Sequence, residues 1–297
     1  MNRLGWLAFA LVLGGCQQAT DVARTLPIPG VAGSLVRGGA EALPAARGAF
    51  VDMEEPEEIE LGRAVTTNIG SRYRLLRDAS LTRYVALVGN TVAAHSERPD
   101  VKYYFGVLDA PEVNAFAAPG GYVFITVGAL RLMKDEAALA GVLGHEVAHV
   151  ARRHHQEAIK AERRKQIAMI GVREGLAYTP AAAFGGVISM AADKVADQVI
   201  LKGFSRAEEG DADQAGFRYA AAAGYDPAGL GDFLAALVAG GEKEATATRF
   251  FSTHPGTPER LQEQRKLIAA RSSADGRRNP ERFTQNAGQY LAPPPAR

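Results

Sequence analysis

Cysteine is nearly absent from this sequence. Of 297 residues only Cys16 carries a thiol, so no internal disulfide can form and no thiolate metal site can be built. An excess of either charge is lacking too. Lys and Arg total 34 against 33 Asp and Glu, a net charge of +1, which removes bulk electrostatic attraction to nucleic acid. No internal repeat is visible. One uncharged run, residues 175–192, has the length of a membrane span, but it is mostly Ala and contains Pro180, Gly185 and Gly186. Its low hydrophobicity favours a packed helix pair or a flap. What remains is 47% apolar residues, ample for the core of one large or two small domains.

The N-terminus reads as a targeting segment. Arg3 supplies a positive start, residues 4–13 are apolar but too short to span as a helix, and Leu13-Gly14-Gly15-Cys16 follows. This resembles a bacterial lipobox, with residues 1–15 as signal peptide and Cys16 as the lipidated first residue. Gln17 in place of Asp points to the outer membrane. Residues 16–50, rich in Pro, Gly and Ala, read as a flexible tether.

Residues 57–69 predict a helix with acidic residues at its start. Ser80 predicts the cap of a second helix over 81–94. Residues 101–108 predict a strand. Residues 113–118 and 122–127 flank Pro119-Gly120-Gly121 and predict a hairpin. From about Asp135 a long helical pattern runs on through Arg152-Arg153-His154-His155 to Lys165, with its basic end complementing the helix dipole. Ser205 predicts another helix cap, Gly224 a helix end, and Thr257 with Pro258 the start of a last helix. From 272 the polar, Pro-rich tail predicts disorder.

The chemistry concentrates in Gly144-His145-Glu146-Val147-Ala148-His149. Histidines four residues apart share a helix face, about 5–6 Å apart at Cβ, and can grip one Zn²⁺. Glu146 then reaches a water acidified by zinc and acts as general base. Leu139, Val142, Leu143, Val147 and Val150 form an apolar stripe that the two histidines border. On the helical wheel His154 points away from His145, and His155 lies about 80° off, so neither is taken as a ligand. The third ligand must come from another element. Glu209 is the candidate, because Asp213 then follows one turn on, free to hold a ligating histidine's other nitrogen.

In chain order, Asn114-Ala115-Phe116 with Pro119-Gly120-Gly121, His145-Glu146-x-x-His149, Glu209-x-x-x-Asp213 and Thr253-His254-Pro255 resemble the M48 zinc metallopeptidases over roughly residues 55–270. The resemblance implies an α+β, zincin-like fold, mostly helical, with a small antiparallel sheet whose edge strand lies over the active-site helix. It implies one Zn²⁺ per chain on His145, His149 and Glu209, Glu146 as base, and substrate pairing along Asn114, Ala115 and Phe116. His254, in a Gly/Pro-flanked loop between helices, admits three roles, a plug on zinc, an oxyanion donor or a simple turn, and the resemblance favours the plug. The expected organisation is a metallopeptidase domain over 51–271 and a disordered tail over 272–297. The expected function is a zinc endopeptidase on the periplasmic face of the outer membrane, cleaving misfolded or unassembled envelope proteins, with no nucleic-acid partner. The alternative is a chaperone-like binding lipoprotein with little proteolysis.

Overall fold

The computed structural model describes residues 53–156, 159–160, 193–197, 201–240, 250, 252–270 and 276–292. The signal segment, Cys16, the tether and residues 175–192 lie outside them. The chain divides into two compact units, Met1–Glu54 with Gln156–Ala191, and Glu55–His155 with Ala192–Arg297. In the first, the Met53 backbone N–H donates to Gln156 Oε1 at 3.2 Å.

Among the described residues, the second unit carries eight α-helices with defined bounds and three strands. Helix α1 spans Glu55–Arg72 and α2 Ala79–Ala93. Asp78, not Ser80, caps α2, its carboxylate accepting from the Ser80 and Leu81 N–H groups. Strand β1 is Tyr104–Leu108, β2 Ala115–Ala118 and β3 Tyr122–Thr126. The expected hairpin is present: β2 and β3 pair antiparallel, with Ala118 opposite Tyr122. The turn needs its glycines, since Gly120 and Gly121 sit at φ 73° and 91°. The sheet as a whole is mixed, not antiparallel. Its order is β1-β3-β2, and β1 runs parallel to β3. The central strand β3 has consecutive buried apolar residues, Val123, Phe124 and Ile125, as expected for a strand paired on both sides. Strand β2 is left at an edge.

Short helix α3, Val127–Arg131, leads to α4, Glu136–Ala151, which Asp135 caps. Every residue of α4 is buried. The apolar stripe seen in the sequence is therefore only part of its buried surface, as expected of a helix at the centre of a core. It packs against α2, α5 (Arg206–Ala222) and α6 (Ala228–Gly240). The approach to α5 is close enough that a Cβ on Gly216 would sit 2.7 Å from the His145 nitrogen. Ser205 and Glu208 form the reciprocal cap that opens α5.

Three sequence expectations fail here. Helix α4 stops at Ala151 instead of continuing to Lys165, because Arg153 turns left-handed at φ 55°. Helix α7, Thr257–Ala269, is capped at Gly256, and Thr257 instead donates its hydroxyl to the His254 carbonyl. The tail is not disordered throughout: Pro280–Leu291 forms α8. Its Phe283 and Ala287, one turn apart, are fully buried. Arg282 and Asn279 bind Glu136 at the start of α4, while Arg278 pairs with Asp135 and Asp226.

Candidate metal centre

Helical spacing carries His145 and His149 to one face of α4 and Glu209 and Asp213 to one face of α5. The glycine contact between the helices brings the two faces together. The imidazole Nε2 atoms of His145 and His149 are 3.0 Å apart. Glu209 lies 3.4 Å from the first and 3.5 Å from the second. His254, on the segment before α7, joins them: each of the four offers a ligand atom within 4.8 Å of all the others, and all four are buried.

These donors fit zinc. An ion bound tetrahedrally at 2.0–2.1 Å holds its ligand atoms about 3.3 Å apart, close to the separations among His145, His149 and Glu209. The donor set, neutral imidazoles with one carboxylate, is one that zinc takes. Glu146 adds a second sign. Both of its carboxylate oxygens are buried without a hydrogen-bond partner, and the nearest cation-forming atom is His254 Nε2 at 3.8 Å. A bare carboxylate in such a place is costly unless water or substrate meets it. Burial pushes its pKa up, against the pull of His254 and His145.

Asp213 reaches His145 Nδ1 at 2.9 Å, the contact expected of an acceptor behind a ligating histidine. Sequence reasoning missed what holds Asp213. Arg260 of α7 is buried and donates to both Asp213 oxygens, each at 2.7 Å. Its Nη1 also stands 2.6 Å from Glu209 Oε2, an ion contact not aligned as a hydrogen bond. For Asp213, burial raises the pKa, but the Arg260 guanidinium and the His145 contact outweigh it and bring the value to about 2. Glu209 is likewise held well below the usual range, because His254, Arg260 and His145 overcome its burial. Burial keeps His149 well below 6.5. Burial and Arg260 oppose protonation of His145, yet its bonds to Asp213 and Glu209 carry it up to about 9.

Asn114, Ala115 and Phe116 are all buried. The Asn114 amide oxygen accepts from the Ala115 N–H and lies 3.2 Å from the Thr253 hydroxyl, tying the start of β2 to the His254 segment. Phe116 packs on Tyr73, ring centroids 5.4 Å apart. No part of this strand is open to solvent: Ala115, Phe116, Ala117 and Ala118 are each at most 1% exposed, main chain included. The sequence reading also set His154 aside. Its wheel assumed that α4 continued, whereas the chain turns after Ala151 and His154 folds back to touch His149.

A mostly helical α+β unit, with a His-x-x-x-His pair on a central helix and a glutamate from a second helix, is a zincin-like metallopeptidase architecture. A model of Peptidase family M48 matches residues 79–268, and the chain belongs to that family. Zinc is the family's metal. The beta-barrel assembly-enhancing protease of Escherichia coli K12 is 25% identical over 267 residues, 89% of this chain and 51% of that one. The mitochondrial metalloendopeptidase OMA1 of Schizosaccharomyces pombe is 31% identical over 188 residues, 61% of this chain and 51% of that one. The metalloprotease LoiP of E. coli K12 is 25% identical over 275 residues, 91% and 96% of the two chains. The chain thus spans about half the length of the beta-barrel assembly-enhancing protease and nearly all that of LoiP.

Proposed function

We propose that the protein is a zinc-dependent endopeptidase of the bacterial envelope. The observation that carries this reading is Glu146, a buried carboxylate with no hydrogen-bond partner beside two histidines and a glutamate at zinc-ligand spacing. His145, His149 and Glu209 would hold the ion. When bound there, zinc supplies Lewis acidity toward water and the scissile carbonyl. Glu146 takes the proton from the attacking water and hands it to the leaving amine, and burial, by raising its pKa, makes it a better base for the first transfer. Asp213, gripped by Arg260, fixes the orientation of His145. An extended peptide would pair with the outer edge of β2, alongside α4, and since β2 is buried here that edge must first be uncovered.

His254 stands among the ligand atoms, Nδ1 3.1 Å from Glu209. In this position it could serve as a fourth ligand to the ion, and would then keep water and a substrate carbonyl away. This arrangement favours the plug reading over the simple turn.

The name of one E. coli relative, beta-barrel assembly-enhancing protease, supports an envelope role, and the lipobox at Cys16 supports lipid anchoring at the outer membrane. No helix among the described residues is long and apolar enough to cross a membrane. The binding-only alternative has no use for an unpartnered buried base. The test is casein cleavage before and after chelation, with metal content measured on the same sample. The expected result is one zinc per chain, activity lost with the metal and restored by zinc. Cleavage that survives complete removal of metal contradicts the proposal.

A further inference from the structure

His154 lies just past the end of the zinc helix, and its Nδ1 is 2.8 Å from His149 Nδ1. Two ring nitrogens at that distance share one proton, and the neighbours decide which carries it. His149 Nε2 faces His145 Nε2 and Glu209, so as a zinc ligand it must present a lone pair there. Its proton then sits on Nδ1, and His154 Nδ1 must accept. His154 in turn carries its own proton on Nε2, which faces the Asp211 carboxylate at 3.2 Å. Only one arrangement satisfies every contact: His149 Nδ1–H to His154 Nδ1, and His154 Nε2–H to Asp211.

The backbone is shaped to make this contact. Arg152 caps α4, the Arg153 N–H bonds to the Val150 carbonyl and the His154 N–H to the His149 carbonyl. That pair of bonds is a helix stop which normally calls for glycine in its left-handed position. Here Arg153 takes it at φ 55°, at a cost of about 1–2 kcal/mol. Had α4 continued, His154 would have been carried round to the opposite side. Arg152 holds the far end, with Nε 3.6 Å from Asp211. Phe204 stacks on the His149 ring, centroids 4.0 Å apart and 16° from parallel, so the imidazole is fixed in plane as well as in tautomer.

We propose that His154, backed by Asp211, is a positioning residue that fixes His149 in its metal-binding tautomer, a counterpart on the second histidine to what Asp213 does for the first. The proposal rests on the zinc reading above. Loss of such an outer partner typically costs about 10–100-fold in metal affinity.

The experiment is a zinc titration against a competing chelator on wild type, His154→Phe and His154→Asn, joined to nitrogen-15 NMR of the histidine rings after metal removal. Phe fills the space without an acceptor, whereas the Asn oxygen can take the place of Nδ1. The expected result is a 10–100-fold weaker zinc affinity in His154→Phe, with affinity largely recovered in His154→Asn. His149 should appear as the Nδ1–H tautomer in wild type and His154→Asn, and lose that uniformity in His154→Phe. Thermal melts of the metal-free variants separate a lost contact from a lost fold. If His154→Phe melts like wild type and binds zinc with equal affinity, the positioning role is wrong. If wild type itself binds no zinc, the metal reading fails instead.

Discussion

At the scale of single residues, the site is a chain of buried charges in which each group needs its neighbour. Arg260 shows this most clearly, since it neutralises Asp213 and stands against Glu209. Removing it leaves the buried Asp213 without its guanidinium and takes one of the positive neighbours from Glu209, a loss of about 3–5 kcal/mol. Arg260→Gln should therefore lower the melting temperature sharply and weaken zinc binding; an unchanged melt would show that solvent reaches the pair. His254 makes a prediction of sign. As a plug, His254→Ala should raise basal proteolysis at unchanged zinc content, whereas an oxyanion donor would give a lower kcat. The clustering of His145, His149, Glu209 and Asp213 was legible in the sequence because two i, i+4 pairs announce a shared helix face. Arg260 was not, because one arginine in the first turn of a polar helix carries no periodic signal. That His154 is no ligand stands, but its contact with His149 was not legible, because its direction depends on a left-handed residue that propensity does not forecast.

A second ionic cluster lies away from the metal centre. Glu58 of α1 is fully buried and binds both terminal nitrogens of Arg98 at 3.0 Å. It also accepts from the Gly120 N–H of the hairpin turn at 3.3 Å. Burial raises its pKa, but the facing His155 and Arg98 outweigh that and bring it from 4.5 to about 2. A carboxyl depressed on folding stabilises above its unfolded pKa, and that stabilisation is lost as pH falls through the folded value. The melting temperature should therefore decline between pH 4.5 and about 2. Glu58→Gln should be less stable at neutral pH and show a shallower acid limb. A parallel pair of pH curves would remove Glu58 from the acid response.

At the scale of elements, the site depends on how closely α4 and α5 approach. Gly216→Ala would put a methyl group 2.7 Å from the His145 nitrogen, so the helices must separate and the two ligand faces with them. Weaker zinc binding with intact helical content is the expected outcome, measured by chelator competition and circular dichroism. Equal zinc affinity would mean that the contact does not set the geometry. Helix α8 is the other element with a clear role. It docks Phe283 into the core and binds Glu136 at the start of the zinc helix. Phe283→Ala should cost about 3–5 kcal/mol, read from denaturant unfolding. Most helices and the hairpin were readable from caps and periodicity. The tail helix was not, because only two apolar residues one turn apart face inward and its partners are long-range arginine pairs. The parallel β1 was not either: the direction of a strand beside a hairpin is set by the connection that crosses over, not by the residues within it.

At the scale of the whole molecule, the proposal joins a zinc peptidase to a lipid anchor. Cys16→Ser should release the protein from the membrane fraction or mis-sort it within the envelope; unchanged fractionation would direct attention to residues 175–192. The central claim, however, is hydrolysis by zinc with Glu146 as base, and one comparison tests it most directly. Wild type and Glu146→Gln are purified side by side, and zinc content and casein cleavage are measured on the same preparations. Gln keeps the size of the side chain but cannot take a proton, and Glu146 is not among the ligands. The account predicts one zinc per chain in both and a loss of cleavage of at least about 10²-fold in the variant. Cleavage by Glu146→Gln at the wild-type rate, with zinc in place, would contradict it.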